Sequence, residues 1–326
     1  MRKARARSAP VGLPNRDTEE FTCRLYEGVE YTAYWDEEAR RRTDALERAI
    51  VGGLLPSGGQ RLLDVGCGFG RLSQAYADRF RQTVMLDGSM SMLRQARDNT
   101  SGRHIYIAAD VMRMPLRAGV ADAALFVRVF HHLEDSGGCL VELRRVLSEG
   151  GRLVLSYANK RSAVRLAKWA ARSASHPYHP RHPQPMPVGH GSTFYYHHPS
   201  FVASALEGAR FRPLPGNDAG LPDAVPGFLG PLGRPTGAGL ALAGILGRAH
   251  ASFWVYTGAD ARGGTPMPRC ESTTDLLQCP SCGHEVVAET DGYACRPCGR
   301  FYPIVDGIAD FRLPEGPAGD GGAEPS

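Results

Sequence analysis

Five short apolar runs alternate with helical patterns between residues 61 and 158, and no other feature narrows the choice of fold as far. The runs are RLLDVG (61–66), TVMLD (83–87), HIYIAAD (104–110), AALFVRV (123–129) and RLVLSYA (152–158). Between them stand RLSQAYADRF, SMSMLRQARDN and GGCLVELRRVLS, each with helical spacing of its apolar positions. Strand-length runs separated by helix-length segments call for parallel strands joined by crossover helices, since parallel neighbours cannot be linked by a tight turn. The expected fold is α/β, a doubly wound and mostly parallel sheet. Glu149-Gly150-Gly151 reads as the C-cap of the helix before the last of these strands.

The first run turns into its helix through Asp64-Val65-Gly66-Cys67-Gly68-Phe69-Gly70. Glycines at such a turn let a ligand approach the backbone, and the following helix N-terminus favours a carboxylate or phosphate. The next two strands each end in an acid. Asp87 can accept two hydrogen bonds from a ribose diol, and Asp110 can accept from an exocyclic amine. The spacing is GxGxG rather than GxGxxG, which argues against a dinucleotide pyrophosphate and hence against NAD. Cys67 reads as a small residue filling the loop, with a reactive thiol at a helix N-terminus as the alternative.

The stretches LLDVGCGFGRL, VMLDGSMSML, AADVMRMPL, ADAALFVRVFHHLED and LRRVLSEGGRLVL, in this order, resemble the class I S-adenosylmethionine-dependent methyltransferases of the small-molecule type. The resemblance covers about residues 61–156 and implies a Rossmann-like methyltransferase sheet. It also implies roles. Asp64, Gly66, Cys67 and Gly68 would line the amino-acid end of the cofactor, with Gly70 shaping the turn. Asp87 would hold the ribose hydroxyls, with Gly88 and Met92 beside ribose and adenine. Asp110 and the Val111 backbone would read the adenine edge, and Val127 would lie near the sulfonium.

Methyl transfer by in-line displacement rests mainly on alignment, so no catalytic residue is assigned. The candidates for a general base are His131, His132, Tyr195, Tyr196, His197 and His198. YYHHP (195–199) also suits the cap of a following helix, and His131-His132 suits packing and loop shape. Arg161, Arg165, Lys168 and Arg172 would share one face of a basic helix, able to meet a phosphate-bearing substrate, RNA or an anionic membrane surface. The apolar stretch 219–248 would suit a lid or pocket wall. Upstream of the sheet, Tyr31, Tyr34 and Trp35 would partly cover the cofactor.

Four of the eight cysteines form the pattern C-x2-C-x12-C-x2-C: Cys279, Cys282, Cys295 and Cys298. Four thiolates at this spacing suit a closed, tetrahedral structural Zn2+ site, with iron as the chemical alternative. Gly283 and Gly299 follow the two pairs and allow tight knuckles, while His284 is not expected to be a ligand. The continuation GRFYPIVDGIADF resembles the small Trm112-like zinc-binding proteins over residues 276–312. Members of that family stabilise or activate methyltransferases acting on tRNA, rRNA and release factors. The resemblance thus implies an activator or scaffold in cis, beside the plainer reading of a ribbon that stabilises the C-terminus.

The expected organisation is a basic tail (1–20), a methyltransferase domain (21–260), a linker (261–272), the zinc module (273–313) and a Gly/Pro/Glu tail (314–326). Within the domain, 61–158 is the cofactor half and 159–260 the substrate and lid half. Charged residues make up 22% of the chain and the net charge is only +4, so neither disorder nor a polyanion partner follows from composition. No apolar run reaches the about 18–20 residues of a membrane span. The sparse cysteines, paired as metal ligands, point to a reducing, cytoplasmic setting. The leading expectation is a methyltransferase acting on a small, lipophilic or anionic acceptor. The alternatives are an RNA or translation-factor methyltransferase and a non-catalytic cofactor- or partner-binding protein. VRVFHH after the fourth strand, in place of an Asn-Pro-Pro-Tyr motif, counts against adenine-N6 or glutamine methylation.

Overall fold

The structure, a computed structural model, describes residues 38–160, 183–187, 193–214, 219–221 and 254–313. The expected cover residues Tyr31, Tyr34 and Trp35, the basic helix 161–172, nearly all of the apolar stretch 219–248 and both tails lie outside them.

Five parallel strands form the centre: β1 (Gly59–Val65), β2 (Phe80–Asp87), β3 (Ile105–Ala108), β4 (Ala121–Phe126) and β5 (Leu147–Ala158). They lie in the order β3-β2-β1-β4-β5, with β1 and β4 side by side where the winding reverses. A ligand crevice is expected outside the carboxyl ends of strands at such a reversal. Beyond β5 the sheet turns antiparallel through β10 (Trp254–Ala261), on which β8 (Phe211–Pro213) and β9 (Ala219–Leu221) pair. A hairpin of β6 (Gln184–Pro187) and β7 (Thr193–Tyr196) stands apart. The helices are α1 (Glu38–Leu54), α2 (Ser73–Tyr76), α3 (Met90–Asn99), α4 (Ser136–Val146) and α5 (Pro199–Gly208). Leu63, Val65, Val84, Leu86, Phe126 and Leu155 are fully buried in the core, as near-continuous apolar strands covered on both faces should be.

Two local expectations need correction. RLSQAYADRF supplies only the single turn α2, because Asp78 takes a positive φ of 61° and the chain is extended again from Phe80. The pair Gly150-Gly151 does not cap α4, which ends at Val146 with Leu147 already extended. The glycines instead sit within β5 at the register shift opposite Ala121–Ala123, where Gly150 has φ 73°. Glycine suits such a bulge because its left-handed backbone carries no Cβ penalty.

The cysteine-bearing segment does not stand apart from the sheet. Its strands β11 (Val287–Glu289), β12 (Gly292–Ala294), β13 (Phe301–Val305) and β14 (Ile308–Asp310) form an antiparallel run. β14 then pairs in parallel with β3, matching Ile308 to Tyr106 and Asp310 to Ala108. Among the described residues the result is one sheet of twelve strands. Leu276, Leu277, Tyr302 and Phe311 share a hydrophobic cluster with Leu116, Ile107 and Phe126, so the two parts have a common core. Tyr302 stacks on Phe311 with ring centroids 4.5 Å apart.

Candidate functional site

Asp64, Gly66, Cys67, Gly68 and Gly70 fall at the carboxyl end of β1, and Asp87 at that of β2. The loop depends on its glycines: Gly66, Gly68 and Gly70 have φ of 70°, 53° and 76°. A Cβ on Gly66 would lie 2.3 Å from a Val129 methyl carbon, whereas one on Gly68 would meet nothing within 4 Å. Gly66 is therefore required by packing against the end of β4. Gly68 borders open space of the kind a ligand would fill.

Asp87 joins this loop to the next helix. Its Oδ2 accepts from the Gly68 N–H at 2.8 Å and its Oδ1 from the Ser89 N–H at 2.9 Å. A carboxylate oxygen can accept more than one hydrogen bond, which is what recognition of a diol requires. Ser89 in turn caps α3 by accepting from Met92 N–H, and Met92 is buried beneath it. Asp110 lies just beyond β3, where its Oδ1 accepts from Met112 N–H at 2.9 Å. The structure thus brings Asp64, Gly68, Asp87 and Asp110 to one end of three adjacent strands. Gly88, Val111 and Val127 lie at the same strand ends, and Val127 is buried.

Asp64 is only 3% exposed and faces inward: Tyr76 donates to its Oδ2 at 2.8 Å. Burial raises its pKa to about 6, against the Tyr76 hydrogen bond and Arg71, with the Asp87 charge adding to the rise. The Cys67 thiol is pushed well above its ordinary range by burial and then by Asp87 and Asp64. That environment disfavours a thiolate, so the small-residue reading of Cys67 fits and the reactive one does not.

Sequence reasoning missed an ionic network behind the loop. Glu47 of α1 is fully buried, with Arg71 2.7 Å from its Oε2 and Arg128 Nε 2.8 Å from its Oε1. Tyr256 donates to Glu47, and Asp44 pairs with Arg71 and Arg48. Despite burial, which pushes its pKa up, Glu47 is held below the ordinary carboxylate range by Arg128 and Arg71 and by hydrogen bonds from Arg128 and Tyr256. Arg71 directly follows the glycine loop, and Arg128 directly follows Val127 with a positive φ of 64°. The network therefore ties α1 to the ends of both β1 and β4. The available signal was a pair of arginines adjoining apolar strand ends, too common a pattern to single out.

On the β4–β5 side the structure gathers aromatic and imidazole rings. His131 and His132 lie in a 3₁₀ turn with ring centroids 3.9 Å apart. Phe194 packs edge-on against both, and His131 also meets Trp254 at 4.8 Å. The Arg128 guanidinium lies 3.9 Å above the Trp254 ring, a cation–π contact. Burial pushes His131 well below the ordinary imidazole range and His132 down to about 4, so both are neutral at pH 7. The other base candidates make different contacts. His197 is wedged between Phe130 and Phe201 in the core, and His198 is the N-cap of α5, accepting from Ser200 N–H. Tyr195 and Tyr196 lie on β7.

The four expected metal-ligand cysteines form a separate cluster, with all four sulfurs within 4.8 Å of one another. Cys279–Cys298 and Cys282–Cys295 are 3.6 and 3.4 Å apart, too long for disulfides. A tetrahedral zinc with Zn–S of about 2.3 Å needs sulfurs about 3.8 Å apart, so the donor set fits. The two knuckles match. Gly283 N–H donates to Cys279 O and Gly299 N–H to Cys295 O, both at 2.8 Å, with φ of 75° and 70° at the glycines. Tyr302 lies with its hydroxyl 3.0 Å from Cys279 Sγ.

Residues 63–155 match the methyltransferase domain family, which makes this part of the chain an enzyme domain. The malonyl-[acyl-carrier protein] O-methyltransferase of Salmonella typhimurium is 37% identical over 108 residues, 33% of this chain and 41% of that protein. The 27-O-demethylrifamycin SV methyltransferase of Amycolatopsis mediterranei is 32% identical over 133 residues, 37% of this chain and 48% of that one. The chain thus matches less than half the length of these curated relatives. Among solved structures, an S-adenosylmethionine-dependent methyltransferase of Thermotoga maritima aligns with TM-score 0.50 and 17% identity, covering 72% of this chain and 95% of that one. The [4+2]-cyclase SpnF aligns with TM-score 0.50 and 20% identity, covering 79% and 100%. These likenesses establish a Rossmann-like α/β fold, and the cyclase shows that the fold alone does not dictate the reaction. Among the described residues no helix is long and apolar enough to cross a membrane.

Proposed function

We propose that the chain transfers a methyl group from S-adenosylmethionine to a small-molecule acceptor, with a structural zinc in its C-terminal module. The observation that carries this reading is the Asp87 carboxylate at the end of β2, held by the Gly68 and Ser89 amides beside the open space at Gly68, where a ribose diol could donate to it. Asp64, Gly66, Cys67 and Gly68 would line the amino-acid end of the cofactor, with Gly70 shaping the turn. Gly88 and Met92 would flank ribose and adenine, Asp110 and Val111 would read the adenine edge, and Val127 would abut the sulfonium. When bound, the cofactor supplies an electrophilic methyl group. The protein then has to orient the acceptor and exclude water, and such alignment is worth about 7–11 kcal/mol. The packed rings of His131, His132, Phe194 and Trp254 would offer a wall to an acceptor with an apolar or aromatic body. The neutral imidazoles offer a proton acceptor where the nucleophile is a protonated hydroxyl or amine.

A small-molecule acceptor is favoured by the named substrates of the matched relatives. A Trm112-like scaffold in cis is supported by β14, which extends the β3 edge of the catalytic sheet. An RNA or translation-factor acceptor is the second reading, and its binding would weaken steeply with added salt. The deciding experiment is calorimetric titration of the zinc-loaded protein with S-adenosylmethionine, beside Asp87→Ala. Saturable binding, weakened at least about tenfold in the variant, is expected. Absence of binding by the folded wild type overturns the proposal.

A further inference from the structure

A cavity of about 1240 Å³ opens at the end of the sheet opposite the glycine loop. Its walls are the starts of β1 and β2, the chain leading into β3, and the linker stretch Met267–Glu271, which crosses from the catalytic sheet toward the cysteine segment. Four arginines line it, Arg61, Arg81, Arg103 and Arg269, against the two carboxylates Asp78 and Glu271. The lining therefore carries two positive charges in surplus.

Arg61 is structural: it is buried, and its guanidinium donates to Gln82 Oε1 and to the Val120 carbonyl. The other three point to a ligand. The exposed guanidinium groups of Arg81 and Arg269 make no hydrogen bond or ion pair with any described residue, and that of the exposed Arg103 commits only its Nε, to the Thr100 carbonyl at 3.2 Å. Guanidinium groups present paired donors that match phosphate oxygens. The volume exceeds the about 300–1,000 Å³ of ordinary small-ligand pockets, leaving room for more than a bare phosphate.

We propose that this cavity is a second ligand site, which takes a phosphate ester of nucleotide size through Arg81, Arg103 and Arg269. It is separate from the cofactor end of the strands and independent of the methyl-transfer reading.

The test is calorimetric titration of the full, zinc-loaded chain with GMP and with ribose 5-phosphate, each with and without saturating S-adenosylhomocysteine. GMP should bind saturably with a Kd below about 1 mM under both conditions, and at least about tenfold more weakly in Arg81→Gln/Arg103→Gln. Arg212→Gln, an exposed arginine on β8 outside the cavity, should bind as wild type. Should the double variant fail to fold, Arg269→Gln on the linker carries the same expectation. The proposal is overturned if wild type binds neither ester, if the variants bind GMP unchanged, or if guanosine binds as well as GMP. Loss of binding in the presence of S-adenosylhomocysteine would place the ester in the adenosine pocket and overturn it too. Binding of RNA alone, without the small esters, has the same consequence.

Discussion

Replacing Glu47 by Gln keeps the shape of the side chain, turns one of its two acceptor oxygens into a donor amide and removes one buried negative charge. Arg128 then loses the carboxylate 2.8 Å from its Nε, while Arg71 loses Glu47 but keeps Asp44. Removing one partner of a buried ion pair costs about 3–5 kcal/mol, since the remaining charge stays desolvated. The second carboxylate on Arg71, and side-chain exposures of 10% and 18% for Arg71 and Arg128, put the loss at the lower end, about 3 kcal/mol. With a urea slope of about 3 kcal/mol/M for a chain of this size, the midpoint should fall by about 1 M. Glu47→Gln/Arg128→Met should show a coupling of at least about 1 kcal/mol relative to the single variants. The acid limb supplies an independent check. A carboxylate whose folded pKa is depressed contributes stability that is full above its ordinary value of 4.5 and is lost as pH falls through the folded value. The fall in stability below pH 4.5 should therefore be shallower in Glu47→Gln. A midpoint shift under about 0.3 M, or additive single variants, would refute the argument that a desolvated charge cluster fixes α1 to the glycine loop.

The two loop glycines should separate stability from binding. Gly66→Ala, whose Cβ would sit 2.3 Å from Val129, should lose about 2–3 kcal/mol by thermal melting, whereas Gly68→Ala should lose about 1 kcal/mol yet weaken cofactor binding at least tenfold. For Asp64 the sign is opposite to that of Glu47. Its folded pKa of about 6 lies above the ordinary 3.8, so its ionisation destabilises the fold as pH rises through that window, and Asp64→Asn should flatten the stability profile between pH 4 and 6. Metal analysis should find one zinc per chain; chelation should raise amide exchange not only around Cys279–Cys298 but also at Ile105–Ala108, because β14 is the neighbour of β3. Protected β3 amides after chelation would show that the pairing survives without metal.

The central sheet was legible because apolar runs and their spacing report burial directly, and three of its strand ends carried an acid whose chemistry is readable. Asp87 and Asp110 fall where the pattern put them. Local backbone was harder: nothing in RLSQAYADRF signals that Asp78 would leave the helical region, and the Gly150-Gly151 pair fits a cap and a bulge equally well. The Glu47–Arg71–Arg128 network was invisible for a different reason. Its members are separated by 24 and 57 residues along the chain, and only the assembled sheet brings opposite charges together. The same holds for the cysteine segment. Its metal-ligand spacing is local and readable, but its strand partner is set by which edge of the sheet lies open.

That pairing also has a temporal consequence. Tyr106 and its partner Ile308 are separated by about two-thirds of the chain. A chain emerging from the ribosome completes β1 to β5 long before β14 exists, so the outer side of β3 waits with unsatisfied N–H and C=O groups. Such an edge is a template for pairing with other chains, and a contact of this sequence separation closes slowly. Residues Ile308–Asp310 thus act as a seal on an otherwise adhesive rim. Premature termination before Ile308 should yield a chain that aggregates rather than one that is merely shorter.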